Sequence, residues 1–304
     1  MADQGLRAGR SGTSEVRRLA RQSMKNAHRM LSADVLTDAV VHEARKEIRK
    51  SRATVRLLRV ALGGPRFRRE NARLRDVGRA LNGARDARVL VHTLDVLRRQ
   101  QPDLGQDRAV AQLSRRLRAQ QQQAKRQLRS PTAPVAIARR TLAQTQFSAG
   151  HWPVADAGWD DALGPAFRRL YAAGRQAVRR SRARPDDHAL HEWRKQAKYL
   201  RHVLQVLTPL RPAKLSRHEK LARRLVDRLG DGHDLALLRQ SALASMGPGA
   251  AGASGGPLLA AIDRRRRDLR KEAFALAEQV YAESPRELDR RLRRYWHRWS
   301  GPVK

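Results

Sequence analysis

Val41-His42-Glu43-Ala44-Arg45-Lys46-Glu47-Ile48-Arg49-Lys50-Ser51-Arg52 has the spacing of an amphipathic helix with one cationic face. At about 100° per residue, six basic side chains fall within one arc of such a helix. They are His42, Arg45, Arg49, Arg52, Arg56 and Arg59. The apolar residues gather on the opposite side, namely Ala44, Ile48, Val55, Leu58 and Leu62. This pattern predicts a helix with one face in a core and a basic face turned towards a partner.

The same pattern returns 149 residues later, as Leu190-His191-Glu192-Trp193-Arg194-Lys195. Its basic stripe comprises His191, Arg194, Lys198 and Arg201, and its apolar stripe comprises Trp193, Ala197, Leu200, Leu204 and Leu207. Further along, Arg85-Asp86 corresponds to His233-Asp234 at an offset of 148, a slippage of one residue in an intervening turn. An offset that persists over this length predicts two copies of one helical unit.

The overall charge indicates a polyanionic partner. The 304 residues contain 65 Lys and Arg against 29 Asp and Glu, a formal net charge of +36. Self-repulsion on this scale destabilises a compact fold, so the excess is best explained by what the protein binds. Arginine accounts for 55 of the cations, and its planar fork binds two phosphate oxygens at once. Nucleic acid, anionic membrane and polyphosphate are the candidate polyanions.

Composition also excludes several classes of protein. The chain has no cysteine, which excludes disulfides, thiolate zinc sites and cysteine nucleophiles. An apolar share of 40% is enough for a core, and the length suits two domains or one large one. No run of about 18 apolar residues occurs and the first residues are polar, so we expect neither a membrane span nor a signal peptide. We therefore expect a soluble, cytoplasmic protein.

The chain as a whole predicts an all-α fold. Apolar residues recur at helical spacing almost throughout, and no segment alternates in the manner of a β-strand. Helices are expected at about 14–31, 38–62, 65–97, 102–128, 134–143, 164–181, 186–207, 211–246, 257–281 and 284–300. The predicted organisation is a flexible tail at 1–13, a first helical bundle at 14–147, a joint at 148–163 and a second helical bundle at 164–304.

The stripes contain only positive charges, which favours an anion-binding surface over an ordinary solvated helix face. Like charges three or four residues apart on a helix cost roughly 0.2–0.5 kcal/mol per pair, so a solvated face normally mixes signs. The five successive pairs of cationic neighbours from His42 to Arg59 together cost on the order of 1–2.5 kcal/mol unless an anion lies there. Their span of about 26 Å suits an extended anion better than a single phosphate.

Features next to the stripes extend the candidate site. Asp38 and Asp187 each precede the stripe histidine by four residues, which places a helix N-terminus and its backbone amides beside that histidine. A bound phosphate there would favour the charged imidazole. The next helix of each copy supplies a candidate facing wall, with Arg68, Arg75 and Arg79 in the first copy and Lys220, Arg223 and Arg224 in the second.

The duplicated motif and the Arg85-Asp86 pair resemble the CHAD family, the conserved histidine α-helical domain, over residues 14–299. The resemblance implies two four-helix bundles from an internal duplication, related by approximate twofold symmetry around a basic pore that binds inorganic polyphosphate. It also implies association with polyphosphate granules. The two copies do not match each other fully. His233 in the second copy occupies the position of Arg85 in the first, and the second stripe is shorter.

Stripes, facing walls and resemblance together define the candidate polyphosphate contacts. They are His42, Arg45, Lys46, Arg49, Arg52, Arg56, Arg75, Arg79, Arg85, His191, Arg194, Lys195, Lys198, Arg201, Lys220, Arg223, Arg224 and His233. No cofactor and no metal are expected. Members of this family are often joined to triphosphate tunnel metalloenzymes, whose Glu-x-Glu-x-Lys strand motif is absent here. The binding domain is therefore expected to stand alone.

Two alternative functions remain open at this point. A basic helical protein could bind nucleic acid through its net charge, although aromatic residues make up only 4% of the chain and offer few stacking platforms. An enzyme is the other alternative, because His233-Asp234 matches the metal-binding dyad of HD-type phosphohydrolases. Against this, the equivalent position in the first copy is Arg85, which cannot ligate a metal.

Overall fold

A computed structural model describes residues 5–81, 83–129, 133–246 and 256–301, and in these ranges it contains twelve α-helices and no β-strand. The helices are α1 (Gly12–Leu31), α2 (Asp38–Leu57), α3 (Arg59–Leu62), α4 (Gly64–Ala80), α5 (Gly83–Gln100), α6 (Arg108–Arg129), α7 (Ala133–Gly150), α8 (Gly164–Ala183), α9 (Asp187–Leu207), α10 (Pro212–Met246), α11 (Pro257–Val280) and α12 (Pro285–Ser300). The predicted all-α fold is confirmed. None of the described helices is both long and apolar enough to cross a membrane.

The two stripe helices, α2 and α9, begin in the same way. The Thr37 side chain accepts a hydrogen bond from the Val40 amide at 3.3 Å, and the Asp186 side chain accepts one from the Ala189 amide at 2.8 Å. These capping residues are themselves 149 positions apart. Each cap satisfies an amide that the helix leaves without a partner. The caps therefore start both helices at the same point of the repeat.

The helices that follow the two sequence motifs differ in their continuity. In the first copy, α4 ends at Ala80 and α5 begins at Gly83, whereas in the second copy α10 continues unbroken for 35 residues. The offset between the copies falls from 149 to 148 across this break. An extra residue does not fit the 3.6-residue turn of a continuous α-helix without a bulge. The predicted single helix at 65–97 is accordingly two helices.

The hydrophobic core does not divide at the predicted joint. A large apolar cluster combines α1, α2, α4 and α7 with α8, α9 and α12. A smaller cluster combines Leu94 of α5 and Leu117 of α6 with Leu238 of α10 and Ile262 of α11. Each cluster therefore joins residues from before and after 148–163. The division of the chain into two bundles, at 14–147 and 164–304, stays a prediction from the sequence repeat.

The segment between α7 and α8 is anchored to the core by buried apolar side chains, among them Trp152 and Trp159. Trp159 is 1% exposed, and its Nε1 donates to Asp289 Oδ1 of α12 at 2.9 Å. The Thr13 hydroxyl at the start of α1 donates to the Ala155 carbonyl at 2.8 Å. A buried indole N–H requires such an acceptor. The predicted joint thus attaches the start of α1 to the last helix.

Truncating Leu117 should test whether the smaller cluster stabilises the fold. Leu117 is fully buried, and we expect Leu117→Ala to lower the free energy of unfolding by about 2–5 kcal/mol through lost burial and a cavity. Ile137 on α7 is 57% exposed, so Ile137→Ala is a matched control expected to change it by less than about 0.5 kcal/mol. Urea unfolding of both variants measures the difference, and equal effects would contradict the described packing.

Candidate functional site

A cavity of about 480 Å³ lies where α2 and α4 meet α9 and α10, and we call it the basic cavity. The candidate contacts that line it are Arg45, Arg49, Arg52, Arg75, Arg79, His191, Arg194, Lys195, Lys198 and His233. The other lining residues are Ile48, Gly78, Glu192, Tyr199, His202 and Leu237. Among these described residues Glu192 is the single carboxylate, and it pairs with Lys195 at 2.6 Å. The cavity is therefore strongly electropositive.

Both copies of the motif contribute to this cavity because α2 packs against α9. Apolar residues of the two helices, such as Ile48 and Trp193, are buried in the same core, which turns both cationic stripes to the same side. Arg49 of α2 and Lys198 of α9 hold equivalent positions in the repeat and line the same cavity. The arrangement can surround an extended anion with donors from two sides.

Two arginines at equivalent positions of the motif lie beside the facing wall. Arg45 Nη1 donates to the carbonyl of Leu81, the residue after α4, at 2.5 Å. Arg194 is only 8% exposed, and a Cβ added at Gly230 of α10 would lie 3.4 Å from its Nη2. Leu81 and Gly230 are separated by 149 positions, as Arg45 and Arg194 are. Arg45 therefore bonds the end of the wall as well as lining the cavity, and Arg194 lies close to α10.

Arg56 contacts protein groups rather than the cavity. Its guanidinium carbon lies 3.5 Å from the ring centroid of Tyr199, and its Nη1 donates to Asn71 Oδ1 at 2.8 Å. Burial lowers the pKa of Arg56 to about 10, although Tyr199 opposes this shift. Arg56 thereby links α2 to α4 and α9. Neighbouring Arg52 lines the cavity, and its buried Nε has no hydrogen-bond partner among the described residues.

The remaining candidate contacts do not line the basic cavity. Lys46 pairs with Glu43 at 2.9 Å, and Arg201 pairs with Glu219 at 3.0 Å. Four others lie outside the lining: His42 on α2, and Lys220, Arg223 and Arg224, which are exposed on α10. The side chain of Arg85 lies outside the described residues. Of the predicted facing walls, Arg75 and Arg79 line the cavity, whereas Arg68 does not. On α10 the residues that reach the cavity are His233 and Leu237 instead of the predicted cations.

Sequence reasoning missed two lining residues, Tyr199 and His202. A signal for His202 was present, because it lies only about 20° from His191 around the helix axis. Tyr199 is 5% exposed and carries Arg56 on its ring. No local pattern separates such an aromatic from an ordinary core residue. The contact of Tyr199 with Arg56 forms only because α2 packs against α9.

Three histidines face the basic cavity, and the pKa values of two of them are lowered. The rings of His191 and His233 are tilted by 52° with centroids 5.0 Å apart. Burial, followed by Arg194 and Lys195, lowers the pKa of His191. Burial, followed by Arg201 and Arg49, lowers the pKa of His202 to about 3. A polyanion in the cavity would act in the opposite direction and favour the imidazolium forms.

The described residues contain no group of three or more His, Asp or Glu side chains arranged to hold a metal ion. The lining is instead dominated by guanidinium, ammonium and imidazole groups, which donate hydrogen bonds to oxyanions. Such a set of donors binds phosphate or carboxylate oxygens. The geometry is that of an anion-binding cavity.

Comparison with known proteins gives matches for both sequence and fold. A family model described as CHAD domain matches residues 16–243. PptA from Streptomyces chartreusis has a similar structure, with a TM-score of 0.57, 15% identity, and coverage of 90% of this chain and 100% of that chain. The CHAD domain from the plant Ricinus communis gives a TM-score of 0.55 and 20% identity, covering 97% of this chain and 95% of the other. At these identities the two structures show a shared fold. Comparison with curated proteins gives no match.

The lowered pKa of His202 predicts a loss of stability in acid. The pKa is about 3 in the folded protein against an ordinary value of 6.5, so the unfolded chain binds the proton more tightly between these values. Stability should therefore fall as the pH drops below about 6.5, and by pH 5 this group should account for about 2 kcal/mol.

Urea unfolding at pH 7.5 and pH 5 tests this linkage. We expect His202→Gln to lose less stability than the wild type over this interval, because glutamine does not titrate. His188→Gln, which removes an exposed histidine from the same helix, should behave as the wild type does. An identical loss in the wild type and His202→Gln would show that His202 is not the responsible group.

Proposed function

The chain belongs to the CHAD domain family, and from that premise we propose that it binds inorganic polyphosphate in the basic cavity. The observation that supports this most directly is the meeting of two cationic stripes, one from each copy of the motif, around one space. Like charges repel at this separation, and a linear polyanion placed between them relieves the repulsion from both sides. Polyphosphate has one negative charge per repeating unit and no bulky side groups.

The shape of the site favours polyphosphate over nucleic acid. Arg45, Arg49, Arg52, Arg194 and Lys198 are at least partly buried between four helices, whereas a duplex is convex and needs a helix or strand that protrudes into its groove. Single strands usually stack on exposed aromatic rings. Tyr199, the lining aromatic other than the histidines, is covered by Arg56. Nucleic acid therefore contacts the outer basic surface at most, without sequence preference.

Binding without catalysis is the second part of the proposal. Phosphoryl transfer depends on an oriented nucleophile and on metal ions or cations placed against the moving charge. In the described lining, Glu192 is the single carboxylate and pairs with Lys195, and no Ser or Thr is present. These residues can hold a phosphate chain but do not orient a water for attack. The protein would hold polyphosphate in the cytoplasm and associate with polyphosphate granules.

Neutralising the cavity from either side should weaken binding of long-chain polyphosphate. We expect Arg49→Ala and Lys198→Ala each to raise the Kd about tenfold, because each removes a charge-assisted contact. The double variant should lose more than either single variant. Affinity of the wild type should fall steeply with salt, because several ion contacts form together. Titration at two salt concentrations measures these effects.

The matched control is Arg139→Ala with Arg140→Ala, which removes two exposed charges from α7. This control should keep the wild-type Kd within about twofold, since exposed charges outside the cavity lining are screened by solvent and contribute little. If it loses as much affinity as the Arg49/Lys198 double variant, binding follows net charge and the cavity proposal fails. Duplex DNA at equal phosphate concentration should compete poorly, and equal competition would favour nucleic acid as the ligand.

Incubation with polyphosphate should release no orthophosphate above the buffer rate, with or without added magnesium. A colorimetric phosphate assay measures this directly. Sustained release by the wild type that disappears in His233→Ala would contradict binding without catalysis. The enzyme alternative raised by His233-Asp234 would then replace it.

A further inference from the structure

A second cavity of about 520 Å³ lies directly beyond the basic cavity, and we call it the outer cavity. It is formed by the start of α9, the middle of α10 and the first half of α11. The two cavities share two lining residues, His191 and His233. Because these rings are 5.0 Å apart, the histidine pair forms the boundary between the two spaces.

The carboxylates of the outer cavity are already engaged with protein partners. Asp187 pairs with Arg266, and the Asp263 carboxylate accepts a hydrogen bond from Arg239 Nε at 3.0 Å. Asp186 caps α9 through the Ala189 amide. The acidic groups are thus neutralised or committed, and they do not form an open cation site.

Two arginines of the outer cavity have no such partner. Arg267 is exposed and Arg270 is half-buried, both line the cavity, and neither has an ion pair or hydrogen bond among the described residues. Together with His191 and His233 they form a row of donors that leads away from the basic cavity. Cations left without counter-charges in a concave space favour an anion there.

We propose that the polyanion path continues past the histidine pair into the outer cavity, with Arg267 and Arg270 as further phosphate contacts. This inference rests on the proposed function, since it extends the same ligand. A polyphosphate molecule that already occupies the basic cavity can contact the outer cavity without a second binding event. The second set of donors therefore acts at a high effective concentration and adds affinity. Both arginines belong to α11, beyond the residues 16–243 that match the family model.

The extension would make binding depend on chain length. A short polyphosphate can occupy the basic cavity alone, whereas a long one contacts both cavities. Affinity should therefore rise with length until both are filled. Removing the outer contacts should stop that rise at a shorter length without changing the binding of short chains.

Titration of the full protein chain with tripolyphosphate and with polyphosphates of intermediate and long length tests the proposed extension. We expect Arg267→Ala with Arg270→Ala to raise the Kd for long chains about tenfold and to change the Kd for tripolyphosphate by less than about twofold. The matched control is Arg264→Ala with Lys271→Ala, which removes two exposed charges from the same helix outside both cavities. The Kd of this control should stay close to the wild-type Kd at every polyphosphate length. Melting curves check that both variants fold.

Each outcome separates the two proposals. If Arg267→Ala with Arg270→Ala matches the control at every length, or weakens short and long chains equally, the extension is wrong while the basic cavity still stands. If the wild type does not bind polyphosphate at all, the proposed function fails and the extension fails with it.

Discussion

Packing of α2 against α9 brings two rows of cations into one space, and the remaining site geometry depends on this contact. The apolar faces of both helices are buried in the large core, which fixes the direction of the basic faces. Repulsion across the cavity opposes this arrangement. Burial of Ile48 and Trp193 offsets this repulsion, and the lowered pKa of His202 means that its imidazole adds no positive charge at neutral pH. An anion would remove the opposing force, so ligand binding and stability are linked.

Some of the arginines serve the fold more than the ligand. Arg56 on the Tyr199 ring and Arg45 at the Leu81 carbonyl connect α2 to its neighbours. Arg194 of α9 is buried close to Gly230 of α10. The contacts of Arg45 and Arg56 use a long cationic side chain both as packing material and as a hydrogen-bond donor. Arg49, Arg52 and Lys198 line the cavity and bring positive charge to it.

The two copies contribute unequally to the walls of the cavity. The break between α4 and α5 leaves Arg75 and Arg79 on the lining, whereas the continuous α10 presents His233 and Leu237. On that side the histidine pair opens towards the outer cavity and α11. The offset between the two sequence motifs changes by one residue where the two walls of the cavity differ.

Local periodicity was enough to determine the helical class, the approximate starts of α2 and α9, and the residues on each stripe, although the capping residues are Thr37 and Asp186 while Asp38 and Asp187 lie in the first turn. These properties depend on neighbours three and four positions apart, which the sequence displays directly. Only the tertiary structure decided that Lys220, Arg223 and Arg224 are exposed outside the cavity and that the smaller core combines both halves of the chain. It also placed Tyr199 beneath Arg56 and α11 beside the histidine pair. The physical reason is that these features depend on how one helix is rotated against another, which side-chain packing between distant segments sets.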